Sequence, residues 1–238
     1  NAFIPIDKVG GENFYPLQTY VCEDCQLVQL IDVVDLDELF QNYVYLSSGA
    51  GLTTPKHFTD YASYVIGKFN LKPDSFVVEI GSNDGILLKA FKEQGIRKVL
   101  GVDPAENVAE IANNNGIPTK ARPWSEALAE DIVNESGEAS LMVGNNVVAH
   151  INNHQDLFRG VKKILAPDGV FVFEAPYLID MFEELSFDTI YHEHLSCLSL
   201  RPIQIMVESV GLEVFDIETR KVQGLSMRVF VGHKGAHE

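Results

Sequence analysis

The sequence predicts an α/β fold, a mostly parallel sheet with helices on both faces, and three observations carry the prediction. From Pro73 onward short apolar runs alternate with stretches of helical periodicity, the pattern of strand–helix units in a parallel sheet. At 238 residues, 46% hydrophobic and 22% charged, the chain can bury a full core as one large domain or one with a small appendage. The third is "FVVEIGSNDGILLKAF", Phe76 to Phe91, which reads as a buried strand, a glycine turn and a helix.

The elements follow in order. Residues 1–34 contain Gly, Pro and a lone C-x-x-C, Cys22 to Cys25, followed by β-like "LVQLI". A structural zinc takes four ligands in a tetrahedron, so one pair is half a set. Cys197 lies far from the pair and is expected to be a packing residue beside the active site. Residues 35–72 are rich in aromatic and small polar groups, and "HFTDYASYVIGKF" has helical spacing, so this stretch reads as an extension over the core. "FVVEI", "KVLGVD", "PTKA", "ASLMVGNN" and "GVFVFEA" then read as strands. Helices follow the glycine turn, run to Asn115, start near Ser125 and span Asn153 to Leu165. A last helix, Pro202 to Val210, precedes "LEVFDIE" and "SMRVFVG", a hairpin-like edge to the sheet.

The glycine turn predicts a cofactor site. A dinucleotide pyrophosphate takes a G-x-G-x-x-G turn at a helix start, and this turn lacks that pattern. Glu79 ends the strand and Asp84 sits inside the turn; two carboxylates there repel phosphates and suit a cation. Gly81 and Gly85 let the backbone approach a ligand closely. At the end of the next strand Asp103, followed by Pro104, occupies the position from which an acidic side chain takes two ribose hydroxyls. A cofactor with a ribose, an amine and a sulfonium therefore fits better than NAD, with Glu79 or Asp84 balancing the amino group. Pro123 and Trp124 are placed to flank an adenine, and Asn145 and Asn146 end the fourth strand at the ligand edge. Each has a plainer role open to it: Asp84 as a helix N-cap, Asp103 and the asparagines as turn residues, Trp124 as packing.

Composition excludes several function classes. A formal charge of −16 works against nucleic acid, which demands a basic face. Mean hydropathy near zero and the lack of a long apolar run speak against a membrane span. No basic stretch with an apolar run opens the sequence as a secretory signal would. Three cysteines are too few for a disulfide framework, so a reduced, cytoplasmic protein is expected. Tyr191, His192, Glu193 and His194 form a second polar cluster, but its histidines lie at i and i+2, which does not match the H-E-x-x-H of a zinc hydrolase.

The pattern E-x-G-x-x-D-G with its ribose-type aspartate resembles the class I S-adenosylmethionine (SAM) methyltransferases. "NNVVAHINN", "YHEHLS" and "QGLSMRVFV", with "CEDCQLVQL" and "YVYLSSGAG", are similar to segments of the zinc-containing nucleotide-sugar C-methyltransferases, from about residue 1 to about residue 233. The resemblance implies a Rossmann-like class I methyltransferase core with a mostly parallel seven-stranded sheet at 73–233. It also implies a partial zinc-ribbon-like segment at 1–34, an extension over the active site at 35–72, and the start of a further region at 234–238. The family carries another C-x-x-C upstream and a domain beyond the C-terminus, so trimming at both ends is expected, with Cys22 and Cys25 as half a zinc ligand set.

The activity implied is transfer of a methyl group from SAM to a carbon next to the ketone of a nucleoside-diphosphate-linked 4-keto sugar. His194 would be the base, Tyr191 the proton donor or enolate stabiliser, and Glu193 would orient His194 or hold a sugar hydroxyl. His150 matches a family active-site histidine, and Tyr43 or Tyr45 an aromatic position over the sugar. The sugar diphosphate would need a basic pocket, for which Lys56, Arg201 and Arg228 are candidates, each more readily read as an ordinary surface charge. Gln223 and Leu225 depart from the family's G-G-S. A small-molecule O- or N-methyltransferase and a non-catalytic SAM-binding scaffold remain the alternatives.

Overall fold

The computed structural model describes residues 6–11, 13–40, 43–49, 51, 53–220 and 226–237. Two sheets organise the chain. A small one contains β1 (Thr19–Val21), β2 (Val28–Leu30) and β8 (Ser196–Cys197). The large one contains β3 (Phe76–Ile80), β4 (Lys98–Asp103), β5 (Thr119–Ala121), β6 (Ala139–Asn145), β7 (Leu165–Pro176), β9 (Leu212–Arg220) and β10 (Ser226–His233), in the order β5-β4-β3-β6-β7-β10-β9. The helices are α1 (Leu36–Phe40), α2 (Thr53–Lys68), α3 (Ile86–Glu93), α4 (Glu106–Asn114), α5 (Glu126–Ser136), α6 (His154–Ile164), α7 (Leu178–Glu183) and α8 (Leu200–Ser209).

The five strands from β5 to β7 are parallel, and β10 runs antiparallel to both β7 and β9. The expected hairpin is present, with β10 inserted next to β7 and β9 outermost. Strand period two sorts the core. Phe76, Val78 and Ile80 of β3, Met142 of β6 and Phe171 and Phe173 of β7 pack toward α5, α6 and α8, against Leu128, Phe158 and Ile203. Val77, Leu141, Val143 and Val172 point the other way, onto Tyr61 and Val65 of α2 and Leu88 and Phe91 of α3. Helix starts follow local chemistry: Ser125 accepts the Leu128 amide at 3.1 Å and Asn153 the Asp156 amide at 3.1 Å.

The order of strands reverses between β3 and β6. β3 pairs with both its successor β4 and the later β6, which opens a crevice at the strands' carboxyl ends. The N-terminal segment shares its sheet with a strand of the core, because β8, from within 73–233, pairs with β2. Cys197 sits directly opposite Val28 in that pairing, buried against Leu178 and Met181. It is therefore a packing residue, as expected, but neighbours the strand that follows the C-x-x-C. Among the described residues no helix is long and apolar enough to cross a membrane.

Candidate active site

A cavity of about 650 Å³ opens at the carboxyl ends of β3, β4, β6 and β7, a size suited to a cofactor and a small substrate. Glu79, Gly81, Asp103, Pro104, Pro123, Trp124, Asn145 and Asn146 line one half. Burial pushes the Glu79 carboxyl well up, and the charges of Asp103 and Asp84 push it further. Burial also raises Asp103, opposed by the amides of Ala105 and Asn83, which donate to its two oxygens at 2.9 and 2.8 Å. At Gly81, φ is +62° and a Cβ would come within 2.9 Å of the Val147 side chain, so glycine is required there. Trp124 reaches the cavity because Gly160 leaves room for its indole, whose Nε1 donates to the Leu157 carbonyl at 3.2 Å.

These residues fit SAM. Glu79 Oε2, Ser82 Oγ and both amide atoms of Asn145 are buried without a protein partner in a cavity whose acids favour a cation. Asp84 and Gly85 do not line this cavity. Asp84 turns to the opposite side of the loop, where Oδ2 accepts the Ser48 amide at 3.0 Å. It is not the helix cap either: Gly85 holds that position at φ +79°, with its open side against Ile117. Of Glu79 and Asp84, the two acids expected to balance an amine, Glu79 is the one that lines the cavity.

Aromatic rings wall the other half. Tyr45 and Tyr43 lie 6.4 Å apart, Tyr43 and Phe40 5.4 Å, Phe40 and His150 5.9 Å, His150 and His194 5.0 Å, and His194 and Tyr191 4.1 Å. Both tyrosines expected over a substrate thus line the cavity. His194 is held at both nitrogens: Nδ1 lies 2.7 Å from the Thr189 carbonyl and Nε2 3.0 Å from the Tyr191 hydroxyl. A carbonyl only accepts, so Nδ1 carries the proton and Nε2 presents a lone pair. Burial lowers the His194 pKa, the Thr189 bond opposing it, and keeps the imidazole neutral. Burial and then His194 bring His150 down to about 3, and burial and Glu193 bring Tyr191 up to about 12. Burial raises the Glu193 carboxyl, with the Tyr43 hydroxyl among the groups opposing it, while both His194 ring nitrogens are taken up by Thr189 and Tyr191.

Among the described residues no lysine or arginine lines the cavity. Arg228 is buried and committed to Glu174, with Nε and Nη2 at 2.9 and 2.6 Å from Oε1, while Lys56 and Arg201 are exposed. Glu174 also meets His57 Nε2 at 2.9 Å, so this cluster ties α2 to the sheet. Gln223 and Leu225 lie outside the described residues. Sequence reasoning missed Asn83 and Asn107, whose side chains hold the segment carrying Tyr43 and Tyr45; the available signal was an asparagine inside the glycine turn, where φ is 49°.

Backbone amides of Cys25 and Asp24, and then the Cys25 side chain, lower the Cys22 thiol. The two cysteines supply two sulfur donors. Among the described residues no group of three or more histidine, cysteine or acidic side chains is placed to hold a metal. The donors present are therefore insufficient for a tetrahedral zinc, and no chemistry is assigned to one.

A family model described as "Methyltransferase domain" matches residues 56–217, the stretch that carries most of the residues lining this cavity. The chain belongs to the methyltransferase-domain family. Within this methyltransferase-family chain, residues 1–40 match a second model, "Putative zinc binding domain". The C-methyltransferase NovU of Streptomyces niveus is 39% identical over 233 residues, 98% of this chain and 55% of that protein. A ribosomal protein L11 methyltransferase of Thermotoga maritima is 28% identical over 145 residues, 60% of this chain and 52% of that protein. The chain spans about half the length of these curated relatives. In fold it resembles magnesium protoporphyrin IX methyltransferase from Synechocystis with bound SAH, at a TM-score of 0.56 and 12% identity over 76% of this chain and 83% of that one. A SAM-dependent methyltransferase from Clostridium acetobutylicum gives 0.57 and 14% over 76% and 92%.

Proposed function

We propose that this chain is the catalytic part of a SAM-dependent C-methyltransferase that acts on the carbon next to the ketone of a nucleoside-diphosphate-linked 4-keto deoxysugar. The observation that supports it most is the Tyr191–His194 pair: a neutral imidazole with a fixed tautomer, its free lone pair facing a phenol, in the wall of a cofactor-sized cavity. Glu79, Asp103, Trp124 and Asn145 would hold SAM, which when bound supplies an electrophilic methyl group on a positively charged sulfur.

The protein's own work is to make the acceptor carbon nucleophilic. A ketone oxygen that draws the Tyr191 hydroxyl hydrogen bond to itself releases His194 Nε2 from that bond. Nε2 then takes the proton from the adjacent carbon, the C–H electron pair passes into the enolate, and Tyr191, kept protonated by its raised pKa, stabilises the enolate oxygen. His150, Tyr43 and Phe40 close the wall and exclude water from the carbanion equivalent. The sugar diphosphate would lie outside the cavity, since no cation among its described lining residues could receive it. The NovU relative, a C-methyltransferase by name, favours carbon over oxygen or nitrogen as the acceptor.

The test is hydrogen exchange. With S-adenosylhomocysteine bound, a nucleoside-diphosphate 4-keto-6-deoxyhexose in D2O should take up deuterium beside the ketone, and His194→Asn should abolish the uptake while still binding S-adenosylhomocysteine. Unchanged exchange in that variant would remove His194 as the base.

A further inference from the structure

The segment carrying Tyr43 and Tyr45 is fastened to the cofactor half by side chains outside the roles assigned above. Asn107, in the first turns of α4, accepts the Tyr43 amide at 3.1 Å and donates to the Tyr43 carbonyl at 2.8 Å. Asn83 accepts the Ser47 amide at 2.9 Å and donates to the Tyr45 carbonyl at 2.9 Å. Two carboxamides thus replace a paired strand along the backbone of this strap. Asn83 has a second attachment: its own amide donates to Asp103 Oδ2 at 2.8 Å. At the far end the Tyr43 ring packs on Phe40, Phe40 on His150 and His150 on His194, with centroids 5.4, 5.9 and 5.0 Å apart.

One chain of contacts therefore runs from the acid expected to meet the ribose, through Asn83, to the strap, and from Tyr43 to the loop that carries Tyr191 and His194. We infer that Asn83 and Asn107 are positioning residues that couple cofactor binding at Asp103 to the placement of the Tyr191–His194 loop. The inference rests on the proposed SAM site. A ligand drawing on the Asp103 carboxylate fixes the Asn83 amide and with it the turn; the turn sets the strap, and the strap sets Phe40, His150 and through them His194. By linkage, ordering of the loop and cofactor affinity strengthen each other by the same factor.

Two substitutions cut the chain of contacts with little other change. Asn83→Gly removes the carboxamide and suits the left-handed backbone at φ 49°, and Asn107→Ala places the best helix former in α4. The measurement is amide hydrogen–deuterium exchange of the whole chain with and without saturating S-adenosylhomocysteine, binding being followed by the fluorescence of Trp124, the single tryptophan. In the wild type the ligand should slow exchange over residues 43–48 and 191–194 by about fivefold or more, the lower range of site–site coupling. In each variant the ligand should still bind, yet leave 191–194 at its ligand-free rate. Protection of 191–194 in the variants equal to the wild type's, or none in ligand-bound wild type, overturns the coupling alone. Absence of S-adenosylhomocysteine binding to the wild type instead overturns the proposed cofactor, and the coupling with it. The wild-type arm decides even if a variant fails to fold.

Discussion

Replacing Asp103 by Asn separates the cofactor role of this residue from its structural one. The carboxylate is buried and accepts two backbone amides, from Asn83 at 2.8 Å and Ala105 at 2.9 Å, on different oxygens. A carboxamide can accept only one of them and turns an N–H toward the other, leaving a buried donor unpaired at a cost of about 1–3 kcal/mol. Part of that is returned, because the lost charge lies beside Glu79, whose carboxyl it pushes up. A net loss of about 1–2 kcal/mol follows, or roughly 2–8 °C in melting temperature for a chain of this size. The ligand loses more. If Asp103 holds the ribose as proposed, two charge-assisted bonds to its hydroxyls would become one neutral bond, about 2–3 kcal/mol or roughly 30- to 150-fold in Kd. Calorimetric titration with S-adenosylhomocysteine, run beside NADH and a thermal melt, measures both effects. A folded variant whose Kd stays within about threefold of wild type would refute the ribose assignment.

Arg228→Met should destabilise the protein by about 3–5 kcal/mol in chemical denaturation, because Glu174 would keep a buried charge with only His57 beside it; a loss under about 1 kcal/mol would mean that Glu174 takes up a proton at little cost. Acid titration should expose His150. With its folded pKa near 3, well below the ordinary histidine value, the proton binds mainly to the unfolded chain in the interval between them. Stability is therefore complete above about pH 6.5 and falls toward about pH 3, by about 2 kcal/mol at pH 5. His150→Phe should flatten that slope, and an unaltered slope would assign it to other groups. SAM binding near neutral pH should release a proton, since a cation beside Glu79 favours the ionised carboxyl that burial disfavours. Calorimetry in buffers of different ionisation enthalpy reads this, and Glu79→Gln should remove the dependence.

What could be read in the sequence was local or strictly periodic. The run at Phe76 to Ile80 needs only its own apolar residues to specify a strand buried on both faces, and Ser125 and Asn153 cap helices that begin within three residues of them. Gly81 and Asp103 were legible because the backbone at a strand end fixes where they point. Asp84 could not be assigned this way. Within the same turn its side chain could face the ligand, cap the helix or hold the strap, and a contact with Ser48, 36 residues earlier, chose the last. Arg228 looked available for a phosphate until Glu174, 54 residues away, was brought beside it by the β7–β10 register.

The sequence by itself determined the α/β alternation, the acidic turn and the polar cluster at Tyr191–His194, because each is written in neighbouring residues and enforced by backbone periodicity. Only the tertiary structure decided which carboxylate faces the cavity, that the sheet of the N-terminal segment is closed by the strand of Cys197, and that Asn83 and Asn107 clamp the aromatic strap. Those outcomes depend on hydrogen bonds between groups far apart in the chain, and a donor or acceptor in a sequence does not name its partner until folding has removed the water that competes for it.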